Sequence, residues 1–364
     1  MNLFDYCNYF NRILFKKGSP LNLIFFVTSK CDAKCPHCFY WQQLNKDKKQ
    51  ELTKDEILKI AKNFNGILSV SLTGGEPFLR DDLCEIASIF QKYSKAKIIQ
   101  IPTNGIQTNR IITTAENILK VCKDGHIVIR VSMDGLEEIQ DSIRGVKGAF
   151  NNAVETYKSL KALQQKYSNL ILGISITYSK INQERLDSLR AYIENELQPD
   201  DYGITLIRGD VKDNLCKVLD ISYYEDFVKK KIRYAKEKVN SEKCTFLDKL
   251  LIAREELGYR LILETKKRNN FITPCYAGAL LAIMYEDGSV FPCEMLDLKI
   301  GNIRDFDYNF KKLWFSKRAE EVRKKIKKTR CFCTYECAMS ANTLFNLRHA
   351  LSIFKSALLM GPGI

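Results

Sequence analysis

Six apolar, β-branched segments alternate with amphipathic segments between residues 21 and 210 of this chain. The apolar segments are nearly continuous, as is typical of parallel strands that are buried on both faces. They occupy residues 22–28, 66–73, 97–103, 126–133, 170–178 and 202–208. Helical periodicity runs over 53–64, 81–93, 109–122, 148–166 and 183–196. The alternation predicts an α/β fold in which helices surround a parallel sheet. Six units are too few for an eight-unit barrel, so we expect a partial, open (β/α)6 TIM-like barrel.

The helix predicted over 53–64 has the clearest start. Thr53 and Glu56 have the spacing of a capping box, in which each side chain accepts a hydrogen bond from the other residue's backbone. Apolar residues at helical spacing follow and define one face for burial. They are Ile57, Ile60, Ala61 and Phe64.

The pattern changes after residue 210. Residues 221–268 are predicted as a long, basic helical region, and 280–293 as a hairpin that turns at Asp287 and Gly288. A further helix is predicted near 310–327. We therefore divide the chain into an N-terminal extension, a core, a helical connector, a small hairpin-plus-helix domain and a C-terminal tail. Their bounds are 1–20, 21–210, 211–270, 271–345 and 346–364. The tail is interpreted as a docking helix, with a membrane contact as the alternative.

Composition limits the class of protein. Of 364 residues, 45% are hydrophobic and 27% are charged, which is ordinary for a globular chain. The apolar run at 21–27 is far shorter than the roughly 20 residues of a membrane span. The N-terminus places its charges after its apolar residues, unlike a signal peptide, so the cytoplasm is the expected compartment.

The formal net charge is +14, and part of the excess lies at 229–238 and 323–330. These runs are interpreted as solvated helix faces. The alternative is attraction to an anionic substrate, an acidic partner or an anionic membrane surface. No nucleic-acid recognition motif is present, so nucleic acid is not an expected partner.

Three of the 13 cysteines lie within eight positions soon after the first predicted strand, as Cys31, Cys35 and Cys38. They therefore lie at the carboxyl edge of the sheet, where barrel-like folds carry their active sites. Three thiolates do not close a tetrahedral zinc site, and His37 lies between two of them, poorly placed to be the fourth ligand. An open metal position is a mark of catalysis. Scattered cysteines are interpreted as small buried hydrophobes; they are Cys7, Cys84, Cys122, Cys216 and Cys244.

The C-x3-C-x2-C pattern, with the aromatic His37 before its last cysteine, resembles the radical S-adenosylmethionine (radical SAM) enzymes. The resemblance implies a [4Fe-4S] cluster on Cys31, Cys35 and Cys38. Its open iron would bind the amino and carboxylate groups of SAM. One electron would then cleave SAM to a 5′-deoxyadenosyl radical, which takes hydrogen from the substrate.

Further loops at the same edge carry the resemblance. The motif TGGEP, with Gly74, Gly75, Glu76 and Pro77, looks like the family's motif for the SAM amino group. The loops PTNG and VSMDG and the segment after them imply more cofactor-binding residues, namely Asn104, Ser132, Asp134 and Arg144. By the resemblance, Ser132 lies near the SAM ribose or carboxylate and Arg144 pairs with the carboxylate. Residues 173–178 would back the adenine. A serine at a strand end is also a common helix cap.

The C-terminal cysteines form a second group. Cys275 and Cys293 fit C-x12-G-x4-C, which resembles the start of SPASM or twitch domains, and "CFCTYEC" adds Cys331, Cys333 and Cys337. A full SPASM domain has seven cysteines and two clusters, so five imply one auxiliary [4Fe-4S] cluster. The predicted ligands are Cys275, Cys293, Cys333 and Cys337, which leaves Cys331 as the surplus. A zinc site is the alternative, because these spacings are not diagnostic.

The resemblance implies an enzyme that abstracts hydrogen from a peptide, an anionic small molecule or a lipid intermediate. It also implies an electron donor such as flavodoxin or ferredoxin. Two alternatives remain. One is a non-catalytic scaffold with two zinc sites, and the other is a degenerate radical SAM protein that carries electrons.

Overall fold

A computed structural model describes residues 12, 14–15, 18–46, 50–64, 66–241 and 245–360. Cys7 and Cys244 lie outside these residues. Nine strands form one sheet in the order β6-β5-β4-β3-β2-β1-β7-β8-β9. Their bounds are Asn22–Thr28, Ser69–Gly74, Ile98–Thr103, His126–Ser132, Leu170–Tyr178, Asp201–Leu206, Leu281–Met284, Ser289–Phe291 and Gly301–Asn302, for β1 to β9.

Strands β1 to β6 are parallel and neighbour each other in chain order. All six were predicted, and the partial barrel is confirmed: β6 and β9 lie at opposite ends of the sheet, which does not close. Branched and aromatic side chains fill the core on the helical side, as at Phe25, which is fully buried and in register with Leu72. The carboxyl ends of the six strands therefore meet at one edge.

Twelve helices accompany the sheet in the described residues. From α1 to α12 they span Lys54–Ala61, Leu83–Ser94, Thr108–Val121, Glu137–Arg144, Ala149–Gln164, Leu186–Tyr192, Ile221–Ser241, Phe246–Arg268, Phe310–Trp314, Lys317–Lys328, Glu336–Leu344 and Leu347–Leu359. The predicted capping box is present: the Thr53 hydroxyl accepts from the Glu56 amide at 3.3 Å, and the Glu56 carboxylate accepts from the Thr53 amide at 2.7 Å. Helix α4 was not predicted. The region predicted as one long helix over 221–268 contains two, α7 and α8.

The predicted hairpin is present but is not separate from the core. Strand β7 pairs in parallel with β1, with Leu23 opposite Ala282, and β8 returns antiparallel to β7. The turn contains Gly288 at a φ of 84°, which glycine adopts without strain. Because an exposed edge of β1 would leave backbone groups unpaired, the hairpin completes the core sheet on that side.

The last helix docks on the connector. Ile353 and Ala357 of α12 are buried, and α12 packs against α8. Another contact holds the start of α12, where Thr273 Oγ1 and His349 Nε2 are 2.9 Å apart. In the described part of the chain, no helix is long and apolar enough to cross a membrane.

Candidate active site

The first cysteine of the three-cysteine loop, Cys31, is three residues after the end of β1. Asn45 holds it from the other side, because its side chain bonds both the amide and the carbonyl of Cys31 at 2.9 Å. Burial raises the pKa of the Cys31 thiol to about 12 and that of Cys38 to about 11, and it also raises the pKa of Cys35. Such thiols stay protonated on their own, whereas a bound metal would ionise them. The donor set therefore fits a metal cluster.

The Gly-Gly turn after β2 lies against the cysteine loop. Gly75 donates to the carbonyl of Thr28 at 2.9 Å, and Glu76 donates to the carbonyl of Lys30 at 2.7 Å. Gly74 has a φ of 136°, and a Cβ on either glycine would overlap a carbonyl oxygen of the adjacent backbone. Only glycine allows this approach, which brings the TGGEP motif next to Cys31.

Glu76 is 1% exposed and lies between the second and third strand ends. Its carboxylate accepts from Thr103 Oγ1 at 2.9 Å, from the Asn104 amide at 2.7 Å and from the Phe78 amide at 3.2 Å. Burial raises its pKa to about 7, although these bonds oppose the shift. A carboxylate has about four acceptor positions, so one remains for a ligand. Pro77 begins a 3-10 turn that leads the chain away.

Asn104 joins the third strand end to the cysteine loop. Its amide group donates to Asp32 at 2.6 Å, one residue after Cys31. The predicted residues Gly74, Gly75, Glu76, Pro77 and Asn104 are thus brought together with the first cysteine.

Asp134 is completely buried behind the other two cysteines. It accepts from Arg144 Nη2 at 2.6 Å and from the Thr177 amide at 2.6 Å, and His37 Nε2 lies 3.7 Å away. Arg144 Nη1 also reaches Cys35 Sγ at 3.7 Å. Asp134 therefore positions both predicted cofactor-binding side chains, Arg144 and His37, at the cysteine loop.

Two buried nitrogens of this group have no partner. Within the described residues, Arg144 Nε and His37 Nδ1 make no hydrogen bond. Buried polar atoms in native structures are generally satisfied, so unpartnered polar atoms beside a cysteine triad indicate that a polar ligand belongs there. Burial lowers the pKa of His37, which favours the neutral imidazole.

Ser132 lies at the end of β4, and its carbonyl accepts from Gln140 Nε2 at 3.0 Å. Gln140 Oε1 also accepts from the Asp134 amide at 2.7 Å. Gln140 and Arg144 belong to α4, the helix that sequence reasoning missed. The sequence feature that indicates α4 is Gly145, which caps the helix in the left-handed conformation at a φ of 64°.

The C-terminal cysteines line a second recess. Cys275, Cys331 and Cys333 line a small pocket between α8 and the start of α11. Burial raises the pKa of Cys293 to about 12, and the nearby thiols of Cys333 and Cys331 raise it further. Three thiols line the recess and the thiol of Cys293 lies near them, and this donor set fits an iron–sulfur cluster. Among the described residues, no three His, Cys, Asp or Glu side chains are placed to hold a single metal ion.

Cys337 has different neighbours. Burial raises its pKa to about 11, and the next largest contributions come from the Glu294 carboxylate, which raises it, and Arg208, which lowers it. The residue is nonetheless exposed to solvent.

Arg208 connects the two cysteine groups and was not predicted. It follows β6, and its guanidinium lies 5.0 Å from the ring centroid of Phe39 and 4.7 Å from that of Tyr335. It also donates to Glu294, at 2.9 Å from Nη2 and 3.2 Å from Nε. Phe39 follows Cys38 and Glu294 follows Cys293 in the sequence. The sequence feature that indicates a role for Arg208 is its position at the carboxyl end of a predicted strand.

Two family models match the chain. Residues 25–194 match the radical SAM superfamily, and residues 275–338 match SPASM, described as an iron–sulfur cluster-binding domain. The chain therefore contains a radical SAM domain and a SPASM domain. The first match runs from within β1 to just past the end of α6, and the second contains all five C-terminal cysteines.

Individual relatives are distant. The sporulation killing factor maturation protein of Bacillus subtilis is 24% identical over 290 residues, which are 78% of this chain and 62% of that protein. The AdoMet-dependent heme synthase of Methanosarcina barkeri is 26% identical over 322 residues, which are 84% of this chain and 85% of that protein. Several relatives are longer: for the Bacillus protein and three others, the match spans 42% to 62% of their length.

One solved structure has the same fold along most of the chain. It is anSMEcpe with bound AdoMet, with a TM-score of 0.59 and 20% identity over 94% of this chain and 97% of that one. The same protein with AdoMet and a peptide gives a TM-score of 0.56. At this identity the likeness establishes the fold of this chain and nothing more.

Proposed function

We propose that this protein is a radical SAM enzyme that binds a [4Fe-4S] cluster through Cys31, Cys35 and Cys38. The observation that carries the proposal is the meeting of three thiols with unpartnered nitrogens of Arg144 and His37 at one edge of the sheet. When bound, the cluster supplies one electron to SAM, whose cleavage gives the 5′-deoxyadenosyl radical that takes hydrogen from the substrate.

The side chains around the thiols have separate roles in this proposal. Arg144 Nε binds the SAM carboxylate, since guanidinium suits that group and its Nη2 is already held by Asp134. Glu76 accepts from the SAM amino group with its remaining acceptor position. The backbone of Gly74 and Gly75 lets the ligand approach closely, and Pro77 fixes the exit from that turn.

The other predicted residues complete the proposed SAM-binding site. Ser132 contacts the ribose or carboxylate from the end of β4, and His37 offers Nδ1 to the ligand. Asn104 and Asp134 position their neighbours, because Asn104 bonds Asp32 and Asp134 bonds Arg144.

The auxiliary cluster is proposed to lie in the C-terminal recess. The pocket favours Cys275, Cys293, Cys331 and Cys333 as its ligands, because these thiols influence one another and three of them line the recess. This set includes Cys331, which the sequence analysis left as the surplus, and leaves Cys337 free. With four protein ligands the cluster would carry electrons and would not bind the substrate. Zinc remains the alternative occupant.

The substrate is proposed to be a peptide, an anionic small molecule or a lipid intermediate. A peptide is bound in one structural relative, another relative is named a heme synthase, and the charge of +14 favours anionic molecules.

The electron donor is proposed to be flavodoxin or ferredoxin. The cytoplasm is the proposed location, because free thiols persist there.

Anaerobic reconstitution tests this function. Iron and sulfide are counted per chain, and 5′-deoxyadenosine is measured after SAM and dithionite are added. We expect about eight irons and product formation, with the product lost and about four irons retained in Cys35→Ala. Zinc without iron, together with no SAM cleavage, would establish the scaffold alternative. SAM binding with no cleavage would establish the electron carrier.

A further inference from the structure

The last helix has a second apolar face that nothing in the described chain covers. Ile353 and Ala357 are buried against α8, but Leu347, Leu351, Phe354 and Leu358 are 59%, 72%, 49% and 61% exposed. Their spacing of four, three and four residues places them on one side of α12. The helix is thus apolar both where it docks and where it faces solvent.

The start of α8 extends this face. Phe246, Leu247 and Leu251 are 42%, 62% and 48% exposed, and the ring of Phe246 packs edge-on against Phe354 with centroids 5.5 Å apart. We call these seven exposed side chains of α8 and α12 the C-terminal apolar patch. Contiguous patches of this kind on globular proteins mark interaction surfaces.

The charges beside the patch on α12 are all basic. Residues 338–360 contain no aspartate or glutamate, whereas Arg348 and Lys355 each follow a patch residue and are exposed. On α8, the carboxylate of Asp248 is engaged in the helix cap, where it accepts from Thr245. The patch is therefore apolar, with a basic border along α12.

We propose that the C-terminal apolar patch binds the surface of an anionic lipid bilayer. Leucine and phenylalanine side chains would enter the boundary between headgroups and acyl chains, and Arg348 and Lys355 would contact lipid phosphates. Helix α12 has 13 residues, fewer than the roughly 20 that span a bilayer, so it lies along the surface.

Charge disfavours a second copy of the chain as the occupant. In a twofold dimer the same patch faces itself, so the cations of one copy would approach those of the other. An anionic surface neutralises the same cations. The proposal is independent of the SAM chemistry, although the bond between His349 and Thr273 would hold the segment before Cys275 close to the bilayer.

Vesicle sedimentation of the full reconstituted chain tests the proposal. The vesicles are pure phosphatidylcholine, or phosphatidylcholine with about one third phosphatidylglycerol. We expect binding to the anionic vesicles that weakens with salt. The variant Leu351→Glu/Phe354→Glu/Leu358→Glu should lower the partition coefficient at least about tenfold. Arg348→Glu/Lys355→Glu should weaken binding to the anionic vesicles selectively.

Leu215→Glu is the matched control, because Leu215 is also 72% exposed but lies outside the patch. Iron content should be unchanged in every variant, and the single variant Leu351→Glu provides a milder test if the triple variant folds poorly. Equal binding by the triple variant and the control, or no binding to either vesicle, overturns the proposal. A concentration-dependent dimer that Leu351→Glu abolishes would instead identify a second copy as the occupant.

Discussion

Arg208 Nη2 donates to the carboxylate of Glu294 at 2.9 Å, and this bond joins the end of β6 to the residue that follows Cys293. Glu294 is only 5% exposed, so the pair is largely shielded from water. The Arg208 side chain also stacks between Phe39 and Tyr335, which flank the two cysteine groups. The geometry of the candidate SAM site therefore depends on the position of the C-terminal region.

Removing Arg208 should destabilise the protein. Arg208→Ala leaves the Glu294 carboxylate buried without its cation, which should lower the free energy of unfolding by about 3 kcal/mol. Denaturant unfolding of the variant and the parent measures this difference. Arg208→Lys should recover only part of the loss, because lysine keeps the charge but not the planar, bidentate contact. A loss in Arg208→Ala below about 0.5 kcal/mol would contradict the bridging role.

Cys331 and Cys337 should differ in their effect on the iron content. Cys331→Ala should lose about four irons per chain, because Cys331 lines the recess with Cys275 and Cys333. Cys337→Ala should keep its iron, since the neighbours of Cys337 are Glu294 and Arg208. Iron and sulfide analysis after anaerobic reconstitution distinguishes the variants. The reverse result would restore the ligand set predicted from sequence.

Gly75→Ala should strongly weaken SAM binding. The added methyl group would overlap the carbonyl of Lys30, so the TGGEP turn would have to move away from the cysteine loop. Equilibrium dialysis with SAM on the reconstituted protein should show affinity reduced at least about a hundredfold. Gly258→Ala is the control, because Gly258 has open space around its Cβ position and no left-handed φ. Similar SAM affinity for Gly75→Ala and the parent would exclude this turn from the site.

Glu76 should make the cluster-free protein less stable as the pH rises. Its pKa is about 7 in the folded chain against an ordinary 4.5, so the folded state binds its proton more tightly than the unfolded state. The stabilisation from the Glu76 proton is therefore complete below pH 4.5 and is lost as the pH rises through 7. Its loss lowers the free energy of unfolding by about 3 kcal/mol. Unfolding free energies measured across this range should fall less steeply for Glu76→Gln. The exposed Glu138→Gln variant should keep the slope of the parent, and an unchanged slope in Glu76→Gln would refute the shift.

Asp134→Asn should weaken SAM binding without removing the cluster. The amide keeps the shape of Asp134 but not the charge that holds Arg144 Nη2 at 2.6 Å. We expect SAM affinity to fall at least about tenfold, with iron content unchanged, because no cysteine is altered. Loss of the cluster in this variant would instead show that Asp134 acts mainly through the Cys35 loop.

Local patterns determined much of this protein. Continuous apolar runs predicted all six parallel strands, because burial on both faces demands them, and the Thr53–Glu56 capping box follows from spacing alone. The cysteine spacings and the glycines of TGGEP marked both sites, since these chemistries depend on residues that are close in sequence.

Tertiary structure decided the relationships between distant segments. The pairing of β7 with β1 makes the hairpin part of the core sheet, and no local pattern in 280–293 specifies that partner. Likewise, Arg208 and Glu294 are 86 residues apart, and Asp134 meets Arg144 only because α4 turns back over the strand end. Sequence periodicity determines which face of an element is buried, but the packing of whole elements determines which charges share a buried site.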